Sequence, residues 1–191
     1  MIDKIILGIF AILMMVWVFV YVKVMEHLYC TYIRKQPPMV ASVRHMRAAV
    51  ADEINRHYPD ARTVCDVGTG YGGLARHIAR HTRCHVTGIE NMPVAVIVGW
   101  MGAFLCPRVR TVWADAFNYL ARGHRFDIGV AYLGTHFTPQ LAQRLGKNYR
   151  VLILLNFDVP GMAPTRVIET GNGYVRYCGK KYPNRLYVYE F

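Results

Sequence analysis

The sequence predicts an α/β domain, a doubly wound and mostly parallel sheet with antiparallel closing strands, preceded by one N-terminal transmembrane helix. Three observations lead there. Residues 5–22 form an uncharged apolar run. Segments of strand and helix character then alternate from residue 62 to residue 156, the pattern of a parallel sheet built from crossover units. The last forty or so residues change character and read as β segments separated by turn residues, which calls for antiparallel pairing.

As a helix, residues 5–22 would be roughly 27 Å long, close to the hydrocarbon thickness of a bilayer. Trp17 and Tyr21 suit the far interface, and Lys23 follows at once. The run is long for a signal-peptide core and no small-x-small cleavage site follows it. A buried soluble helix would show a polar face, which this run lacks. Asp3 and Lys4 precede it, whereas Lys23, Arg34, Lys35, Arg44 and Arg47 follow. The positive-inside rule therefore predicts a single-pass chain with its C-terminal domain on the cytoplasmic side, or the equivalent side of an organelle membrane. The predicted organisation is an anchor over 1–24, a connector over 25–40 punctuated by Pro37-Pro38, and one domain over 41–191.

Ser42 is a candidate cap for a helix whose apolar positions Met46, Ala49, Val50 and Ile54 recur at helical spacing up to Tyr58-Pro59. Strand one is predicted at 62–67 and its helix at 72–81. Strand two, Cys84–Glu90, ends on an acid and is followed by a helix over 93–104. Val109–Trp113 reads as strand three, Phe126–Leu133 as strand four and Pro139–Leu145 as a short helix. Tyr149–Asn156 is a largely apolar strand five, the kind buried on both sheet faces. Thr165–Thr170, Tyr174–Cys178 and Arg185–Phe191 read as β segments, with turns expected at Gly171-Asn172-Gly173 and Pro183-Asn184.

The formal net charge is +11. Basic residues are dispersed, with no run of five, so a domain held beside anionic lipid accounts for the charge and a stable nucleic-acid partner is not expected. The five cysteines, at 30, 65, 84, 106 and 178, show no paired spacing, which fits a reducing compartment and argues against zinc or another metal.

The chemistry concentrates in Asp66-Val-Gly-Thr-Gly-Tyr-Gly-Gly73, a glycine turn between strand one and its helix. Such a turn lets backbone and helix N-terminus approach a ligand that a side chain would block. Gly68, Gly70 and Gly73 alone satisfy the general dinucleotide pattern. Asp66 lies two residues before the first glycine, and Gly72 adds the spacing Asp-x-Gly-x-Gly-x-Gly. Glu90 ends strand two, 24 residues after Asp66, where a carboxylate can accept both ribose hydroxyls. Asp115-Ala116 follows strand three, where an acid can meet the exocyclic amine of an adenine.

These residues, in this order, resemble the class I S-adenosylmethionine-dependent methyltransferases over residues 60–191. The resemblance implies a Rossmann-like fold, S-adenosylmethionine as cofactor, and a binding set of Asp66, Gly68, Thr69, Gly70, Tyr71, Gly72, Glu90, Asn91, Asp115 and Ala116. The glycine loop would lie against the methionine part, with Tyr71 covering it. A narrower resemblance rests on the apolar span, the Pro-containing connector Lys35-Gln-Pro-Pro-Met-Val, and Asn156-Phe-Asp-Val-Pro-Gly followed by Pro164-Thr-Arg-Val167. It is to the membrane-anchored protein-lysine methyltransferases that modify adenine nucleotide translocase and the ATP synthase c subunit. Here the connector's two prolines are adjacent, a loose match.

The expected function is therefore methyl transfer to lysine on a membrane-associated protein. A lipid, a quinone precursor or another small molecule is an alternative acceptor, and a non-catalytic scaffold that kept the fold is a second alternative. The loop after strand four and the turn after strand five should border the methyl group, which makes Tyr132, His136, Asn156 and Asp158 candidates for the acceptor pocket. No obligatory base is visible, and Asn-Pro-Pro-Tyr, associated with base N-methylation, does not follow strand four.

Overall fold

A computed structural model describes residues 2–28 and 41–191. The connector expected at 25–40, including Pro37-Pro38, lies outside the described residues from position 29 onward. Contacts divide the chain into a unit carrying the N-terminal helix and a second unit, Ala41–Phe191.

The first unit is helix α1, Ile2–Leu28. Its stretch Ile5–Val22 has a mean hydropathy of 2.8 and none of it is buried within the molecule, so by length and composition it could cross a membrane. Trp17 and Tyr21, one turn apart, stack with ring centroids 6.0 Å apart.

The second unit is built in chain order from α2 (Arg44–His57), β1 (Thr63–Val67), α3 (Gly73–His81), β2 (His85–Glu90), α4 (Pro93–Phe104), β3 (Val109–Trp113), α5 (Ala116–Ala121), β4 (Phe126–Ala131), α6 (Thr138–Leu145), β5 (Tyr149–Leu155), β6 (Arg166–Tyr177) and β7 (Lys180–Glu190). The strands form one sheet in the order β3-β2-β1-β4-β5-β7-β6. β1 to β5 pair in parallel, whereas β7 runs antiparallel between β5 and β6. The order reverses between β1 and β4, the switch point at which such sheets open a crevice.

Strand alternation divides the core between the sheet's two faces. Val151, Ile153 and Leu155 of β5 join Val64, Val86 and Val188 under α2 and α3. Leu152 and Leu154 join Cys65, Val67 and Ile89 under α6. This is why β5 reads as a continuous apolar run: both of its faces are covered.

The structure departs from the sequence expectations in three places. Val43, not Ser42, is the N-cap of α2, and no side chain caps it. Ser42 Oγ instead accepts from Arg47 Nε at 3.0 Å. A short helix, α5, occupies a stretch with no predicted element, capped by Asp115. The C-terminal third forms two long strands rather than three short segments. The connecting turn is Cys178-Gly179, both at positive φ (49° and 76°), as a two-residue hairpin turn requires. The expected turn residues Gly171–Gly173 and Pro183-Asn184 lie opposite each other within the ladder. Residues 170–173 stand against Asn184 alone, a large irregularity in β6. β7 tolerates Pro183 because β5 pairs with β7 only over Leu186–Glu190. The hairpin therefore runs on past the carboxyl end of β5.

A polar network fastens α2 to this hairpin's base. Tyr58 donates to Glu190 at 2.5 Å. Arg166 donates to Glu53 at 3.1 Å, to Glu190 at 2.9 Å, and to the Tyr58 hydroxyl.

Candidate cofactor and acceptor site

The glycine turn sits at the carboxyl end of β1, beside the switch point. Gly68, Gly70 and Gly72 adopt φ of 70°, 56° and 73°, values that favour glycine over any residue with a Cβ. The amides of Gly68 and Thr69 donate to the Ile89 carbonyl at 2.9 and 3.1 Å, which ties the turn to β2. Gly72 donates to the Thr69 carbonyl at 3.0 Å and hands the chain to α3.

Asp66 is buried beneath the turn. Its carboxylate accepts from Thr69 Oγ1 at 2.6 Å. Removal from water nevertheless dominates and raises its pKa from 3.8 to about 6, with the Glu90 charge adding to the rise.

Glu90 is also buried, at the end of β2. Oε2 accepts from the Gly70 amide at 2.8 Å, and Oε1 accepts from the Asn91 and Met92 amides at 2.8 and 3.0 Å. The three backbone donors use most of a carboxylate's capacity of about four acceptor positions. Glu90 therefore holds the turn in shape. Asn91 places its carbonyl 3.3 Å from the indole N–H of Trp113. Asp115 is exposed and accepts from the Asn118 amide at 2.9 Å as the N-cap of α5, and Ala116 is the first residue of that helix. Tyr71 is half-buried, and its carbonyl accepts from Arg76 at 2.7 Å. The sheet register pairs Val67 with Ile89 and Glu90 with Trp113, so all ten expected cofactor residues lie on one rim.

Three further residues shape this rim. A Cβ on Gly88 would come within 2.7–2.9 Å of the Thr69 side chain, so Gly88 makes the room Thr69 needs to reach Asp66. Arg76 lies against Gly72, and the Arg47 guanidinium lies against Gly73. Their positive charge beside the turn suits the carboxylate of an amino-acid moiety. Gly88 and Arg47 were not legible in the sequence because each acts on a residue distant in the chain, and Arg76 was not because only the folded turn brings it back onto Tyr71 and Gly72.

The acceptor side lies at the ends of β4 and β5. Leu133 packs so closely on Gly68 that a Cβ there would meet its side chain at 2.7 Å, which brings the loop after β4 against the turn. Tyr132 stacks on Phe157 with centroids 6.2 Å apart. Tyr177 and Tyr182, from the overhanging hairpin, meet Phe157 edge-on at 5.2 and 4.8 Å. The Tyr177 hydroxyl lies against Gly134. Asn156 is buried at φ 65°, a conformation that asparagine tolerates better than most residues. Its side-chain amide donates to Asn184 Oδ1 at 3.2 Å, while its own Oδ1 has no partner among the described residues. Of the four expected pocket residues, Tyr132 and Asn156 thus converge around Phe157. His136 and Asp158 have exposed side chains, and the Asp158 carbonyl accepts from Thr138 at 2.9 Å. Among the described residues no three His, Cys, Asp or Glu side chains group as a metal would require.

A glycine-rich turn, a buried carboxylate (Glu90) and an exposed one (Asp115) lie along a single rim, the arrangement a nucleoside with an amino-acid tail calls for. Comparison with known proteins agrees. Residues 64–153 match the family model described as a methyltransferase domain. A sterol 24-C-methyltransferase of Gibberella zeae is 30% identical over 127 residues, which are 65% of this chain and 32% of that protein. The chain thus spans about a third of that curated relative's length. The fold is similar to that of an RNA methyltransferase from Salinibacter ruber in complex with S-adenosyl-L-homocysteine (TM-score 0.62, 18% identity, 79% of this chain and 93% of that one). It is also similar to an S-adenosylmethionine-dependent methyltransferase from Thiobacillus denitrificans, again with S-adenosyl-L-homocysteine (TM-score 0.51, 15% identity, 69% and 54%). Residues 64–153 thus match a methyltransferase domain model, and the fold is a Rossmann-like methyltransferase fold shared with proteins solved in complex with S-adenosyl-L-homocysteine.

Proposed function

We propose that this chain is a membrane-anchored methyltransferase that N-methylates lysine on a membrane-associated protein. When bound, S-adenosylmethionine supplies an electrophilic sulfonium methyl group. The glycine turn and Asp66 would hold its amino-acid end, Glu90 the ribose and Asp115 the adenine. The protein's contribution is placement of an acceptor in line with that methyl, and orientation of this kind is worth roughly 7–11 kcal/mol.

The observation that carries the lysine reading is the aromatic group of Tyr132, Phe157, Tyr177 and Tyr182, with Asn156 next to Phe157 in the chain and its Oδ1 unpaired among the described residues. Aromatic faces attract an ammonium group. An unused amide oxygen can take the N–H of an amine and aim its lone pair. Before transfer the amine must lose a proton, which solvent can accept.

Membranes containing the protein, supplied with methyl-labelled S-adenosylmethionine, test this. The label is expected in a protein band and, after hydrolysis, in methyl-lysine. The rate should rise about tenfold per pH unit over pH 7–9, because the free-amine fraction of a lysine with pKa about 10.4 does so. A second reading, favoured by the sterol 24-C-methyltransferase relative, is a lipophilic small-molecule acceptor. Label that extracts wholly into organic solvent would establish that reading and remove lysine. Absence of any S-adenosylmethionine binding would leave only a scaffold.

A further inference from the structure

The face of α4 that points away from the sheet is apolar. Ile97, Trp100, Met101, Phe104 and Leu105 recur at the spacing of a single helical face, and all are exposed, Met101 at 69%, Phe104 at 89% and Leu105 at 74%. The opposite side, through Ala95, Val96 and Gly99, is already packed in the core. A helix at the surface of a soluble domain turns polar residues outward, whereas this face has no partner among the described residues. The adjoining edge strand β3 continues the surface, with Trp113 exposed at 61%. Arg108 follows the helix with its guanidinium on the Thr82 carbonyl at 2.6 Å, and no acidic residue occurs between Asn91 and Ala114.

We propose that this face is a membrane contact in its own right. Ile97, Trp100, Met101, Phe104 and Leu105 enter the boundary between headgroups and acyl chains of an anionic leaflet. Two features select lipid over other occupants. The same chain carries a helix long and apolar enough to cross a bilayer, which would hold the domain at a lipid surface. The chain as a whole is positive (+11) and residues 91–114 carry no acid, as an anionic surface requires. Trp100 suits the depth: its indole N–H is already satisfied by the Thr111 carbonyl at 2.9 Å, so the ring can leave water without orphaning a donor. The inference rests on the membrane-anchored reading above.

The test uses the full chain with Trp17→Phe and Trp113→Phe, which leaves Trp100 as the only indole, reconstituted into vesicles of phosphatidylcholine with phosphatidylglycerol. Brominated lipid should quench Trp100 at least twofold. Acrylamide should quench it at least threefold less than in the Met101→Glu/Phe104→Glu variant. Pure phosphatidylcholine should weaken both effects. Retained S-adenosylhomocysteine binding shows that each variant has folded. Flotation after a carbonate wash reports the anchor separately: a chain that floats while Trp100 stays fully open to acrylamide overturns the α4 contact and leaves the anchor intact. A chain that does not float, and shows no lipid quenching, overturns both. Protection from acrylamide without quenching by lipid, lost as the chain is diluted in the bilayer, would assign the face to a second copy and likewise overturn the proposal.

Discussion

Asp66 and Glu90 are both carboxylates that folding removes from water, and they carry that cost differently. The Asp66 pKa is raised from 3.8 to about 6, so its contribution to stability is fully present below pH 3.8 and is lost as pH rises through 6. Asp66→Asn should therefore stabilise the cofactor-free protein above pH 7, by about 3 kcal/mol at most, and flatten the pH dependence of urea unfolding between pH 4 and 7. Glu90 instead receives three backbone amides. Glu90→Ala would strand those donors, cost about 3 kcal/mol, and weaken S-adenosylhomocysteine binding at least tenfold by calorimetry. Glu90→Gln, which keeps an acceptor oxygen, should be milder. The spacing of Asp66, the glycines, Glu90 and Asp115 made these positions legible in the sequence. The use of Glu90 as a staple for the turn was not legible, because the Gly70 amide meets it only once three residues adopt positive φ. Gly88 was equally hidden, since nothing near it in the chain records that Thr69 lies across it.

Elements follow the same division. β1 to β5 were readable because burial on one or both faces imposes an apolar pattern that sequence retains. The short α5 was not, because six residues are too few for a helical period to register. The C-terminal hairpin was misread for a physical reason: Gly-Asn-Gly and Pro-Asn are turn sequences locally, yet here they face each other inside one ladder. The turn itself uses Cys178, an unusual residue at positive φ. Consequently Tyr177 and Tyr182, diagonal neighbours across that turn, could not be placed beside Phe157 before the register was known. At this scale Arg166 is the link to test. The Glu53 side chain is only 5% exposed and depends on it. Arg166→Met should destabilise the chain by about 2–3 kcal/mol, near the lower end for a broken buried pair because Arg166 is itself 32% exposed. Thermal unfolding would show the loss, and Glu53→Gln combined with Arg166→Met should recover part of it.

For the whole molecule, the prediction concerns Ile5–Val22. Leu13→Arg with Met14→Arg puts two charges at the middle of that stretch, at a cost near 3 kcal/mol each on insertion scales. The protein should then leave the carbonate-resistant membrane fraction, as immunoblotting of supernatant and pellet would show. The apolar span could be read from composition alone; the exposed face of α4 could not, because an apolar helix in an alternating α/β sequence is indistinguishable from one buried on both sides. The irregularity at residues 170–173 has a last consequence, for colloidal behaviour. The sheet ends on two open strands, β3 and β6, and an open strand is a template on which another chain can polymerise. With its twelve residues β6 would be a long template, but the break opposite Asn184 divides it into two four-residue stretches of regular pairing. An incoming strand finds no continuous register to copy, so the kink that spoils the hairpin's regularity also guards the chain against edge-to-edge aggregation.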